Sequence, residues 1–188
     1  PNQLNYALNG VDTVIHLAAM VNTPLSFDKP STTKQVNHWG TTHLVNACID
    51  HNVDHLIFAS TSSVYGPGLN KNENDVPDPL GAYASSKLQA EQYITANQEK
   101  LDYTIFRIGT VYGPSPNMRV QAFVNRLCFL AGTQKKLTVY GDGKQVRPVI
   151  HIDDVTQLIL QVLQSPENFI NQILNVCESN CTVLNVID

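Results

Sequence analysis

The sequence has no apolar run of about 18 residues and no basic-then-apolar start, so neither a membrane-spanning helix nor a secretory signal is legible in it, and the cytoplasm is the default setting. Cysteine is scarce. Cys48, Cys128, Cys177 and Cys181 are scattered through segments that read as regular structure, a layout that argues against the disulfide framework of a small secreted domain. Cys177 and Cys181 have no second Cys or His pair beside them to complete a zinc set, so no metal site is expected. The four thiols read as reduced, most of them filling the core. Positive charge is in deficit as well, with 12 Lys and Arg against 16 Asp and Glu and a net charge of −4, which argues against nucleic acid as the main partner. Linkers and internal repeats are absent. So is any G-x-x-G-x-x-G, the turn whose backbone amides cradle a pyrophosphate at a helix start.

What remains is an ordinary globular balance, 43% hydrophobic and 15% charged over 188 residues, enough for one sizeable core. Thr13-Val14-Ile15-His16-Leu17-Ala18-Ala19 is a continuous apolar run with β-branched residues, as expected of a parallel strand covered on both faces. The small residues at its end either admit a flat ligand beyond the strand's carboxyl end or make a tight helix contact. His16 reads as a satisfied strand histidine. Residues 22–33, with Pro24, Asp28 and Pro30, read as a polar connection. A helix follows over about residues 31–51, its apolar stripe traced by Val36, Gly40, Leu44, Ala47 and Cys48. His55-Leu56-Ile57-Phe58-Ala59-Ser60 is the next buried strand and delivers Thr61 and Ser62 to its carboxyl end. The aperiodic loop 67–79 reads equally as a lid over a site or as plain surface.

The chemistry concentrates in Ser60-Thr61-Ser62-Ser63-Val64-Tyr65-Gly66 and Tyr83-Ala84-Ser85-Ser86-Lys87. With Tyr83 opening a helix over residues 83–100, Lys87 lies one turn later on the same face, where an ammonium favours the ionised form of a phenol. Such a phenol is a general base, and a strand-ending hydroxyl such as Thr61 can hold the oxygen whose proton it takes. The spacing by itself also arises by chance in amphipathic helices. Further on come a strand over 103–108, a helix over 120–131, a strand over 137–140 and an Asp-Gly tight turn at Gly141-Asp142-Gly143-Lys144. Asp153 or Asp154 then caps a helix whose apolar face is Val155, Leu158, Ile159, Val162 and Leu163, and a strand begins at Gln172.

The strand-end hydroxyl cluster followed by YxxxK resembles the extended short-chain dehydrogenase/reductase superfamily, and within it the nucleotide-sugar epimerases and dehydratases. The resemblance runs from about Gly10 to Val183. It implies an α/β fold, a Rossmann-like doubly wound parallel sheet with part of a small substrate lobe, and NAD as cofactor. Carried over residue by residue, it makes Thr61, five residues before Gly66, the catalytic hydroxyl, with Ser62 as runner-up, and gives Tyr83 and Lys87 the base and its cation. The end of the first strand, Leu17-Ala18-Ala19, would lie along the dinucleotide, together with Ser60, Tyr83, Lys87 and Gly109, while Asn37 of Val36-Asn37-His38-Trp39-Gly40-Thr41 would buttress the nicotinamide pocket. Ser62, Thr110 and Arg147 fall on substrate positions, the arginine matching phosphate oxygens two at a time. Pro148 departs from the family, which usually has Asp there.

The sugar dehydratases of this superfamily carry an Asp-Glu pair directly after the threonine, and this chain has Ser62-Ser63. The resemblance therefore points to an NAD-dependent nucleotide-sugar epimerase, most simply at C4, with a reductase or dehydrogenase on a nucleotide sugar and a non-catalytic member as alternatives. The missing glycine-rich turn implies a chain shortened at its front and short of the family's C-terminal lobe. Residues 1–112 would then be a partial NAD-binding domain and 113–188 a segment that contributes to the substrate lobe and returns to the sheet. Helices near 34–50 and 83–100 resemble the pair that forms the family's homodimer bundle.

Overall fold

The computed structural model describes residues 2–21, 23–68, 70–139 and 141–187. Its strands are β1 (Thr13–His16), β2 (His55–Thr61), β3 (Asp102–Ile108), β4 (Thr110–Tyr112), β5 (Val146–His151), β6 (Gln172–Val176) and β7 (Ser179–Thr182). Its helices are α1 (Asn2–Ala7), α2 (Thr23–Asp28), α3 (Pro30–Lys34), α4 (Gly40–Asp50), α5 (Gly81–Thr95), α6 (Phe123–Gly132), α7 (Ile152–Gln164) and α8 (Val183–Ile187). The chain divides into two compact units. One holds the residues up to Arg107 with Gln161–Asn175, the other Ile108–Leu160 with the residues from Val176 on.

In the first unit the sheet runs β1-β2-β3-β6, with β1 and β2 parallel in the register Thr13 to His55 through His16 to Phe58. Strands β2 and β3 read as apolar runs because both their faces are covered, and from Tyr103 to Arg107 every residue of β3 is buried. Leu56, Phe58 and Ile105 form the centre of the core with Val45, Cys48, Ala90 and Ile94 from α4 and α5. This is the doubly wound α/β sheet that the family resemblance implies. No described helix is long and apolar enough to cross a membrane.

Several expectations are corrected. The polar connection at 22–33 contains α2, so the chain is helical where its prolines suggested a loop. The helix expected over 31–51 is interrupted by a π-helical turn, Gln35–Trp39, between α3 and α4. Its buried line is Thr33, Asn37, Thr41, Val45 and Cys48, while Val36 of the expected stripe is 41% exposed. Most of the line lies one residue round from the expected one because its polar members find partners inside, Thr41 on the Nε2 of His16 at 2.9 Å among them. Helix α5 ends at Thr95 rather than near Lys100, and a helical turn follows. Of the four cysteines, all reduced, only Cys48 is buried, and Cys128 and Cys177 are exposed.

In the second unit β4, β5 and β7 form a separate sheet, β4 parallel and β7 antiparallel to β5. No strand forms at Leu137-Thr138-Val139, which has no ladder partner, and Tyr140 lies outside the described residues. The tight turn at 141–144 does form, with the Lys144 amide donating to the Asp142 carboxylate at 3.0 Å. Neither Asp153 nor Asp154 caps α7. That helix begins at Ile152, the Asp153 amide donates to the Nδ1 of His151 at 3.3 Å, and both aspartates lie in the first turn, where the helix dipole favours them.

Candidate active site

Strand β2 ends on Thr61, whose backbone is extended (φ −148°, ψ 144°) and whose hydroxyl accepts a hydrogen bond from the Ser63 amide at 3.2 Å. The hydroxyl therefore caps a 3₁₀ turn, Ser62–Tyr65, and is held at the strand's carboxyl end, 7% exposed. The turn leaves through Gly66 at φ 67°, ψ −150°, a region open in practice only to glycine. A Cβ there would collide with the Asp78 carbonyl oxygen, because the loop 66–79 returns to pack against its own start.

Helix α5 begins at Gly81 and places Tyr83 in its first turn, half-buried, with Lys87 one turn later and 2% exposed. The Lys87 Nζ donates to the Ala59 carbonyl of β2 at 2.6 Å and lies 4.4 Å from the centre of the Phe58 ring. Burial lowers its pKa to about 8, while the neighbouring Glu91 carboxylate works the other way. An ammonium has three donors, of which Ala59 takes one. The apolar periodicity of α5 is weak for this reason: Lys87 and Glu91 lie on its buried face among Ala84, Ala90 and Ile94.

Asn37, in the π-helical turn, is fully used. Its Oδ1 accepts from the Met20 amide at 2.7 Å, and its Nδ2 donates to the Met20 carbonyl and to Ser86 Oγ, both at 3.1 Å. Ser86 in turn donates to the carbonyl of Tyr83 at 2.8 Å. The segment after β1, where Leu17 and Ala18 are exposed, is thereby tied to the first turn of α5. His16 sits behind it, 9% exposed, its pKa lowered to about 4 by burial first and by Lys87 second. Leu17, Ala18, Ala19, Asn37, Ser60, Thr61, Ser62, Tyr83 and Lys87 all belong to the first unit.

Gly109, Thr110 and Arg147 belong to the second unit. The Gly109 amide donates to the Val176 carbonyl at 2.9 Å, and a Cβ on Gly109 would lie 2.9 Å from the Pro148 carbonyl oxygen, so close backbone approach requires glycine there. Pro148, the departure from the family pattern, is accommodated because the β4–β5 pairing starts one residue later, at Thr110 and Val149. Arg147 is exposed and pairs across from Cys181. Among the described residues no group of three or more His, Cys, Asp or Glu is placed to hold a metal ion.

Residue types alone did not reveal Ser86, Glu91, Arg107 or Tyr65 as parts of this region. The available signals were Glu91 one turn beyond Lys87 and a lone arginine ending an apolar strand. The chain is 34% identical over 175 residues to the uncharacterized UDP-glucose epimerase YtcB of Bacillus subtilis, covering 90% of this chain and 54% of that protein. It is 33% identical over 168 residues to the dTDP-D-glucose 4,6-dehydratase of Homo sapiens, covering 86% of this chain and 47% of that enzyme. The chain thus spans about half the length of the curated relatives it matches. Among solved structures, the UDP-glucuronic acid 4-epimerase from Bacillus cereus, in complex with UDP-glucuronic acid and NAD, superposes with a TM-score of 0.88 at 31% identity, over 96% of this chain and 59% of that one. A family profile matches from residue 2 to residue 177, leaving almost none of the sequence outside it, and the chain belongs to the NAD dependent epimerase/dehydratase family.

Proposed function

We propose that the protein containing this chain is an NAD-dependent nucleotide-sugar epimerase acting at C4 of the sugar. The observation that carries the choice over dehydration is the strand exit: Thr61 is followed by Ser62 and Ser63, and the buried carboxylate nearby in sequence to Lys87, Glu91, is committed to Arg107 and Ser60. The strand exit itself thus offers hydroxyls, not carboxylates, in the two positions after Thr61. Relatives of similar identity carry the names of both activities, so the choice offered here rests on the strand exit.

The donor set fits the nicotinamide-ribose half of NAD. Lys87 retains donor capacity for ribose hydroxyls, and the small Ala18 and Ala19 leave room beside the carboxyl end of β1. The 188 residues hold no glycine-rich turn for the pyrophosphate. Bound NAD supplies the hydride acceptor. Tyr83 takes the proton from the sugar hydroxyl and later returns it. Lys87 favours the phenolate and orients the ribose, and Thr61 hydrogen-bonds the reacting sugar oxygen. Arg147 is the proposed anchor for the diphosphate. A homodimer through the helices near 34–50 and 83–100 belongs to the same reading, supported by the exposure of Val36 at 41% and Trp39 at 50% in the first of these segments.

The test is incubation of the full-length protein and NAD with UDP-glucose, UDP-glucuronic acid and dTDP-glucose, followed by proton NMR of the sugar. An axial C4 hydroxyl in the product supports epimerisation, and Tyr83→Phe should lower its rate roughly 10²–10⁴-fold. A product lighter by one water, or accumulation of reduced cofactor at the level of the substrate, overturns the reading in favour of a dehydratase or a dehydrogenase.

A further inference from the structure

A buried polar chain runs behind the candidate site, and of its members only Ser60, expected along the dinucleotide, has been given a role. Glu91, 2% exposed, accepts from the hydroxyl of Ser60, the residue before Thr61. Arg107, 5% exposed, grips the same carboxylate with Nη2 at 2.8 Å and Nε at 3.1 Å. The Arg107 Nη1 donates to the phenol oxygen of Tyr65 at 2.9 Å, and the Tyr65 phenol donates to the Oδ1 of Asn175 at 2.7 Å. Asn175 then holds the loop 66–79: its backbone amide donates to Glu73 at 2.7 Å and its Nδ2 to the Lys71 carbonyl at 3.2 Å. All of these residues lie in the first unit.

Two catalytic candidates adjoin this chain of contacts, one of them from two sides. Thr61 follows Ser60 along β2, Lys87 precedes Glu91 by one turn of α5, and the 3₁₀ turn capped by Thr61 ends at Tyr65. A carboxylate clamped by a bidentate arginine has one position, so whatever it holds has one position too. We propose that Glu91 is a positioning residue: clamped by Arg107, which Tyr65 holds in turn, it fixes the end of β2 that carries Thr61 against the helix that carries Tyr83 and Lys87, and through Arg107, Tyr65 and Asn175 locks the loop 66–79 to both.

The assignment of Thr61, Tyr83 and Lys87 as the site rests on the epimerase reading, so the test uses no turnover. Lys87 faces His16 from β1, the Phe58 ring and Ala59 carbonyl from β2, and Tyr83 and Glu91 along its own helix, Glu91 being the carboxylate that supports its charge. In protein labelled at the lysine ε-carbon, Glu91→Gln should therefore lower the Lys87 titration midpoint by about one pH unit. Two milder variants keep every charge and both rings or strands in place. Ser60→Ala should leave the Lys87 midpoint unchanged and speed amide exchange at residues 61–65. Tyr65→Phe should speed exchange at residues 71–75 about fivefold, the factor expected for one lost hydrogen bond. Tyr93→Phe is the matched control, since its phenol also donates to an asparagine Oδ1, that of Asn46, at 2.7 Å but outside the chain of contacts. An unmoved Lys87 midpoint in folded Glu91→Gln overturns the proposal. So does loop exchange in Tyr65→Phe no faster than in Tyr93→Phe, or unaltered exchange in Ser60→Ala, whatever sugar the enzyme turns over.

Discussion

Lys87→Met replaces a buried ammonium by an apolar side chain of similar length. In the folded protein burial holds the Lys87 pKa at about 8, against 10.5 for an ordinary lysine. A gap of roughly 2.5 pH units means that folding disfavours the charged form by about 3 kcal/mol at neutral pH. The variant also loses the bond to the Ala59 carbonyl and the contact with the Phe58 ring, which offsets about 1–2 kcal/mol of that relief. A net gain of about 1–2 kcal/mol remains, a rise in melting temperature of about 2–8 °C for a domain of this size. The same substitution removes the cation one helical turn from Tyr83, so a more stable protein with little or none of the proposed activity is expected. Between pH 8 and 10.5 the unfolded state binds more protons at this position than the folded one, so the contribution of Lys87 improves as the pH rises through that window. Melting temperatures of the two proteins from pH 7 to pH 10.5 should therefore draw together and then cross, because the relief of about 3 kcal/mol disappears while the lost contacts do not. A variant that melts below the wild type at pH 7, or a gap that stays constant with pH, refutes the reasoning.

Gly66→Ala puts a Cβ into the Asp78 carbonyl at a backbone conformation that only glycine tolerates, and should cost about 2–4 kcal/mol in urea unfolding; a wild-type midpoint would mean that the loop 66–79 does not return against Gly66. His16 has a folded-state pKa of about 4, below the 6.5 of a free histidine, so the unfolded state gains the proton first and stability falls as the pH drops from 6.5 towards 4. His16→Asn should flatten that part of the stability profile, and an unchanged slope would show that His16 is not the group responsible. Arg107→Met strands the Glu91 carboxylate and should cost about 3–5 kcal/mol, most of it recovered when Glu91→Leu is added; calorimetry of the single and double variants decides, and equal losses in both would show that the pair does not act as a unit.

Local chemistry alone determined the elements whose information lies within a few residues. The apolar runs of β2 and β3 marked covered strands, whereas β1 is shorter than its run and buried only at His16, with Ile15 40% exposed; the end of β2 offered both Thr61 and Ser62, between which the family resemblance chose, and the four-residue spacing of Tyr83 and Lys87 placed both on one helical face. The Asp-Gly turn was equally local. Tertiary structure decided whatever depends on partners distant in sequence. Asn37 and Thr41 became buried positions of their helix because Met20, Ser86 and His16 supply bonds that no periodicity records. Residues 137–139 had strand composition and found no strand to pair with. Glu91 and Arg107 carried no sequence signal that they would meet, and folding closed them into a buried ion pair in the first unit. A residue's own preferences set its local conformation, but burial of a charge is favourable only when the rest of the chain brings the opposite charge to meet it.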